Sequence, residues 1–214
     1  MISQQVKNLY FVSLAKFSIL SFYWWKMTRG SAGEGGYINI GCGPKYLEGM
    51  INVDGNLFCK KDLWLDVTLG LPFPDSSLKG VYVSHVLEHF SPKQLRNLLA
   101  EFYRVLQPGA GLRIVVPSLE YAIQAYLSGD GSGLPDWPES FRSPGGRFNN
   151  FMLCQNQHTV MLDFSFLLEL LKGCGFSRVY REEANRSDYF SRDHLQFESD
   201  PSIIDSSLFV EAAK

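Results

Sequence analysis

The chain predicts an α/β sandwich around a mostly parallel sheet, and three observations carry that expectation. Apolar strand-like segments alternate with helical patterns from residue 37 onwards. The first of them, Tyr37-Ile38-Asn39-Ile40, runs straight into Gly41-Cys42-Gly43. The most apolar strand, residues 111–117, suits the middle of a parallel sheet, where both faces are covered. Hydrophobic residues make up 45% and charged residues 20% of 214, a globular composition with enough length for one substantial core.

The elements follow in order. Residues 8–27 are rich in apolar and aromatic side chains, and their helical spacing predicts a helix that packs on the domain. Lys16 and Lys26 interrupt that stretch, so it falls short of the ~18 apolar residues of a membrane span. No small-residue cleavage site of a signal peptide follows it. Trp24-Trp25 beside Lys26 also suits the surface of a membrane, so peripheral contact through this helix stays open. The chain therefore divides into an N-terminal helix, 1–29, and a domain, 30–214, that begins with the small-residue linker 30–36. Strands are expected at 37–41, 50–54 and 62–65, and Leu71-Pro72-Phe73-Pro74-Asp75 forms turns. A fourth strand, 80–84, leads into His85-Val86-Leu87-Glu88-His89-Phe90. Ser91-Pro92 reads as a helix cap followed by a first-turn proline. The helix 93–106 puts Leu95, Leu98, Leu99, Phe102 and Leu106 on one face, and Gln107-Pro108-Gly109 ends it. After strand 111–117 come a helix at 120–127 and a long loop, 129–150, with five glycines and three prolines. A helix at 164–172 and closing strands at 177–181 and 207–212 complete the domain.

The turn after the first strand points to a ligand. Two positions without side chains let backbone N–H groups approach a bound molecule closely. Asp54 closes the next strand, where a carboxylate can accept hydrogen bonds from a ribose diol. Together they suggest a nucleoside-type cofactor above the carboxyl ends of the strands. A dinucleotide fingerprint needs a third small residue, but that position holds Tyr46 with Pro44 before it, which argues against NAD or FAD. The net charge of −2 gives no general attraction to nucleic acid, which is not an expected partner. The four cysteines are far apart and form no C-x-x-C pair. They read as reduced thiols of a cytoplasmic protein, without a disulfide frame or zinc site.

Six segments in a fixed order carry a family resemblance: Ile38–Gly43, Ile51–Asp54, Leu71–Asp75, His85–His89, Arg104–Ala110 and Cys174-Gly175-Phe176. With them the chain resembles a class I S-adenosylmethionine-dependent methyltransferase of the type 11 kind. The resemblance implies a Rossmann-like seven-stranded sheet with helices on both faces and the last strand antiparallel. It implies S-adenosyl-L-methionine as cofactor and S-adenosyl-L-homocysteine as product. Gly41, Cys42 and Gly43 would then lie against the methionine part, and Asp54 would bind the ribose hydroxyls. Asp66 would face the adenine amino group, Val67 would supply backbone contacts, and Ser84 and His85 would border the methyl group. One departure stands out. Only about nine residues separate the first two strands, fewer than a parallel crossover normally needs, so the first helix should be shortened or missing.

His85-x-x-Glu88-His89 is the main chemical cluster. An acceptor hydroxyl or amine needs a base for its proton, and histidine suits that role near neutral pH. His85, His89 and Glu88 are the catalytic candidates, with His158 next. The spacing is similar to the Glu-x-x-Glu-His of metal-dependent methyltransferases of small-RNA 3′ ends and of quinols. Here His85 replaces the first acid, which weakens a site for a hard cation, and no metal is expected. Trp137, Phe141 and Phe148 are candidates for one wall of an acceptor pocket, which the helix 1–27 and the loop 129–150 would close. Arg142, Arg147, Arg178, Arg181, Arg186 and Arg192 read as solvated charges alternating with acids. The resemblance implies methyl transfer to an oxygen or nitrogen of a small-molecule acceptor, with a glycan precursor as the reasonable class. Metal-assisted methylation of an RNA 3′ end or a quinol, and cofactor binding without catalysis, remain as alternatives.

Overall fold

The computed structural model describes residues 9–10, 13–29, 36–129 and 131–214. The expected linker at 30–35 and the expected helix start at residue 8 lie outside the described residues. The N-terminal helix is present: a 3-10 turn, Leu14–Ser18, runs into α1, Ile19–Arg29. Its last turn carries Lys26 and Arg29, whose charge complements the carbonyl end of the helix. Trp25 is buried against the domain and meets Phe73 edge-on at 6.1 Å. No helix among the described residues is long and apolar enough to cross a membrane.

Seven strands make one sheet: β1 Tyr37–Ile40, β2 Ile51–Asp54, β3 Leu63–Trp64, β4 Leu78–Ser84, β5 Leu106–Pro117, β6 Arg178–Arg181 and β7 Ser207–Ala213. Their order is β3-β2-β1-β4-β5-β7-β6. β1 to β5 pair in parallel, and β7 runs antiparallel to both β5 and β6. The helices after β4 are α2 Pro92–Val105, α3 Leu119–Leu127, α4 Pro144–Leu153, α5 Phe164–Gly173 and the short α6 Pro201–Ile204. α2 forms where the sequence places it. Ser91 and Gln94 make a reciprocal capping box, Pro92 opens the helix, and Leu95, Leu98, Leu99, Phe102 and Val105 form its buried stripe.

The period-2 alternation of the strands separates two cores. Val81, Val83, Ile114, Val116 and Val210 face the large core, shared with α1, α2 and α5. Tyr82, Val115 and Phe209 face the opposite way, towards Leu47, Met50, Phe190 and Leu195. Leu195 belongs to a 3-10 helix, Arg192–Ser199, that covers this second face. Arg113 in the middle of β5 is fully buried, and its partners explain how. Its Nε and Nη2 donate to the two carboxylate oxygens of Glu198 at 3.0 and 2.6 Å, and Glu211, its register neighbour on β7, lies 3.6 Å from Nη1.

Two connections differ from the usual α/β pattern. Between β1 and β2 there is no helix, as the short spacing predicts. The buried Asn52 holds that connection instead. Its Oδ1 accepts from the amide of Leu47 and from Asn39 Nδ2, and its Nδ2 donates to the carbonyls of Leu47 and Met50. The expected loop 129–150 is corrected in its second half, where α4 begins at Pro144. Ser143 caps it by accepting from the amide of Gly146, and Pro144 occupies the first turn. Gly145 and Gly146 hide the helix in the sequence because glycine is a poor helix former. Tertiary packing overrides that preference: Phe148 and Met152 pack with Ala122 of α3 and with Leu134.

Candidate functional site

The site lies at the carboxyl ends of β1, β2, β3 and β4, where four expected segments meet. Gly41 leaves β1 with φ +66°, and its amide donates to Val53 O at 2.8 Å. A Cβ there would sit 2.2 Å from Val86 Cγ2, so the turn passes the loop after β4 too closely for any side chain. Gly43 follows with φ +51° and open space where a side chain would point. Between them Cys42 is turned inward, and its Sγ donates to Lys60 O. Burial, reinforced by the charge of Asp54, pushes the Cys42 thiol up to about 12, so it is no nucleophile near neutral pH.

Asp54 ties this turn to β2. Its Oδ2 accepts from the amide of Gly43 at 2.7 Å and its Oδ1 from the amide of Asn56 at 2.6 Å. Each carboxylate oxygen keeps further accepting capacity, which a pair of hydroxyls could use. Asp66, after β3, is more fully committed. It caps the 3-10 helix Val67–Leu69 by accepting from the Thr68 amide and hydroxyl, and Lys16 Nζ meets its other oxygen at 2.5 Å. The amide of Asp66 donates to Ser18 Oγ. Val67 is buried within that turn. The N-terminal segment thus reaches the rim. Tyr10 does so too: its hydroxyl donates to Gly55 O at 2.7 Å and accepts from Leu57 N–H at 3.0 Å. Sequence reasoning missed Lys16, Ser18 and Tyr10, whose contacts join residues about fifty positions apart.

At the other end, Ser84 closes β4 and His85 follows with φ +53°, a left-handed conformation for a residue with a side chain. The ring of His85 is held at both nitrogens. Nδ1 lies 3.5 Å from Glu88 Oε1, and Nε2 is 3.3 Å from Ser207 Oγ at the start of β7. A carboxylate can only accept, so Nδ1 carries a proton and Nε2 takes the Ser207 hydroxyl in the neutral ring. No local signal in the sequence marks Ser207.

Glu88 is the centre of a histidine cluster. It is buried, and neither carboxylate oxygen has a hydrogen-bond partner among the described residues. Three of the four histidines surround it. The His89 and His158 rings meet edge-on at 5.2 Å, and ligand atoms of Glu88, His89 and His158 lie within 4.8 Å of one another. His89 Nδ1 is 3.0 Å from Gln157 O and His158 Nδ1 is 2.9 Å from Met152 O. Those carbonyls can only accept, so each ring holds its proton on Nδ1 and keeps a lone pair on Nε2. Burial pushes the Glu88 carboxyl up, but the His85 ring, 3.5 Å away, and the charges of the three histidines outweigh it, and the net direction is down. Burial lowers His158, which favours its neutral ring. The segment after β4 is a 3-10 turn, Leu87–His89, rather than a full helix, and it still brings Glu88 and His89 to one side.

The remaining candidates lie elsewhere. Trp137 and Phe141 are exposed, while Phe148 packs on Tyr126 at 5.8 Å and anchors its loop. Arg147, Arg178, Arg181 and Arg186 pair with Asp136, Asp188, Glu120 and Glu182.

A family model described as a methyltransferase domain matches residues 48–114. No curated protein matches the chain. Solved structures do. A SAM-dependent methyltransferase from Archaeoglobus fulgidus is 20% identical with a TM-score of 0.50, the match covering 96% of this chain and 99% of that one. A possible histamine N-methyltransferase from Thermotoga maritima is 14% identical with a TM-score of 0.53, over 98% and 95% of the two chains. A Haemonchus contortus phosphoethanolamine N-methyltransferase, solved with S-adenosyl-L-methionine, is 15% identical with a TM-score of 0.51. That match covers 88% of this chain and 51% of the larger one. The sheet order and the glycine turn against the acid of β2 give the chain the Rossmann-like fold of class I S-adenosylmethionine-dependent methyltransferases, and residues 48–114 match a methyltransferase domain.

Proposed function

We propose that this protein binds S-adenosyl-L-methionine across the carboxyl ends of β1 to β4 and moves its methyl group to an oxygen or nitrogen of a small acceptor. The observation that carries the reading is the Gly43 amide on the Asp54 carboxylate, which sets a side-chain-free turn beside a free acid edge. The ribose hydroxyls would donate to Asp54, and the methionine part would pass the backbone of Gly41 and Gly43. Asp66 would meet the adenine only beside Lys16, which already holds one of its oxygens.

Bound there, S-adenosyl-L-methionine would supply an electrophilic methyl group to the acceptor lone pair, the carbon–sulfur bond electrons staying on sulfur to leave S-adenosyl-L-homocysteine. The acceptor proton passes to a base. His89 and His158 suit that step through the free lone pair on Nε2, whereas both nitrogens of His85 are engaged. His85 then positions Glu88 and the loop after β4. A sugar hydroxyl of a glycan precursor is the acceptor class we favour, on the family resemblance. The test is calorimetric titration with S-adenosyl-L-methionine followed by product assays over candidate acceptors. Binding with product formation supports the reading. Binding without product from any acceptor leaves a cofactor-binding protein, and no binding overturns the reading.

A second reading, metal-assisted methylation of a quinol or an RNA 3′ end, is favoured by one observation. Glu88 is a buried carboxylate without hydrogen-bond partners beside two imidazoles whose outer carbonyls orient them as ligands. Glu88, His89 and His158 would hold a divalent cation, which would polarise an acceptor oxygen. Methylation abolished by chelator and restored by Mg²⁺, Mn²⁺ or Zn²⁺ would select this reading; indifference to chelator would reject it.

A further inference from the structure

The N-terminal segment turns an apolar side to solvent. Ala15, Ser18 and Trp25 face the domain, and on the opposite side Leu14, Phe17, Leu20, Tyr23, Trp24 and Met27 are exposed, from 54% for Trp24 to 82% for Met27. Leu20, Tyr23, Trp24 and Met27 fall at i, i+3, i+4 and i+7, one face of α1. Single exposed apolar residues need no explanation, but a contiguous stripe does. The stripe has a neighbour. Leu57 and Phe58 stand exposed in the loop after β2, tied to the segment by the Tyr10 hydroxyl on Gly55 O and Leu57 N–H.

Along the segment itself the charge has one sign, although Lys16 is paired with Asp66 on the inner side. Lys7, Lys16, Lys26 and Arg29 are the charged residues among the first 33, and all 22 acids of the chain come later, beginning at Glu34. A chain of net charge −2 is therefore polarised, with a purely basic N-terminal portion. This selects the occupant. A second copy would bring the same basic face against itself and be repelled. An anionic bilayer surface accepts both parts: the aromatic and aliphatic side chains enter the headgroup boundary, and Lys26 and Arg29 meet the lipid phosphates.

We propose that the outer face of residues 13–29, together with Leu57 and Phe58, docks on a membrane surface that carries anionic phospholipid. The inner side of the same segment grips the cofactor rim through Lys16 on Asp66, Ser18 on the Asp66 amide and Tyr10 on Gly55. Docking therefore sets the β2–β3 end of that rim beside the headgroups. The inference does not depend on methyl transfer, because it rests on exposure and charge alone.

The test is co-sedimentation of the full chain with vesicles of phosphatidylcholine, with and without 30 mol% phosphatidylglycerol (about that fraction suffices for a clear surface potential). The chain should pellet with the anionic vesicles, and added salt should release it. Lys26→Glu should weaken binding about fivefold or more. Leu20→Ser/Trp24→Ser/Met27→Ser should weaken it at least about tenfold. These side chains are exposed, so the melting temperature of each variant should match the parent; Lys26→Glu and the salt series still decide the matter if the triple variant misfolds. No pelleting with anionic vesicles, or equal pelleting of parent and both variants, overturns the proposal. A dimer that the triple variant dissolves, without vesicle binding by the parent, gives the stripe to a second copy and also overturns it.

Discussion

The amide of Gly43 donates to Asp54 Oδ2 at 2.7 Å, and this bond joins the turn after β1 to the acid that ends β2. Asn56 N–H occupies the other oxygen at 2.6 Å. Two backbone donors thus fix a carboxylate at the rim in one orientation before any ligand arrives. Hydrogen bonds to a charged group contribute about 1.5–3 kcal/mol each. Asp54→Ala should therefore weaken S-adenosyl-L-methionine binding about tenfold to a hundredfold in a calorimetric titration. Asp54→Asn should fall between, because one of its two terminal atoms can no longer accept. Unchanged affinity in the alanine variant would remove Asp54 from the cofactor site.

Gly41 faces a different constraint. An alanine there would place Cβ 2.2 Å from Val86 Cγ2 and hold a side chain at φ +66°. Left-handed backbone costs about 1–2 kcal/mol, and overpacking costs about 1–3 kcal/mol more. Gly41→Ala should lower the unfolding free energy by about 2–5 kcal/mol on these grounds. Adding Val86→Ala clears the methyl contact but not the backbone conformation, so the double variant should recover only part of the loss in a urea titration. Full recovery would show that sterics alone demand the glycine.

Much of the fold was legible because its signals are local. Ser91-Pro92 followed by the spacing Leu95, Leu98, Leu99, Phe102 yields α2 almost as read, and the short spacing between the first two strands foretells the missing helix. The errors come from long-range effects. Gly145-Gly146 reads as a break, yet packing of Phe148 and Met152 on α3 supports α4. Arg113 sits in an apolar run and gives no hint that Glu198 and Glu211 neutralise it from far along the chain. The site divides the same way. Gly41, Gly43 and Asp54 follow from strand ends, whereas Ser207 on His85 and Lys16 on Asp66 are brought in by tertiary packing.

Asn52 does the work of the absent first helix. Its side chain satisfies the Leu47 amide and the carbonyls of Leu47 and Met50, and it accepts from Asn39. Asn52→Leu has similar volume but removes the partner of the Leu47 amide and of the Met50 carbonyl, at about 1–3 kcal/mol for each, while Leu47 O keeps the Met50 amide and Asn39 keeps Lys45 O. The variant should lose about 2–6 kcal/mol in denaturant unfolding, and its cofactor affinity should fall because the Gly43 turn hangs from the same connection. A variant as stable as the parent would mean that water replaces the amide network.

Cys42 provides a test of the turn that needs no ligand. Its thiol is pushed up to about 12, chiefly by burial and then by the negative charge of Asp54. Only the thiolate reacts with an alkylating reagent, so at pH 8 about one Cys42 in ten thousand is reactive, against about a quarter of an ordinary cysteine. Iodoacetamide at pH 8 should leave Cys42 unmodified in the native chain, while all four cysteines react once the chain is denatured. The native rate should rise about tenfold per pH unit towards pH 12, as the thiolate fraction does. Asp54→Asn removes the second cause of the shift and should speed the reaction at fixed pH. Mass spectrometry of the labelled peptides reads each outcome, and rapid labelling of Cys42 in the folded protein at pH 8 would show that the thiol faces the rim instead of Lys60 O.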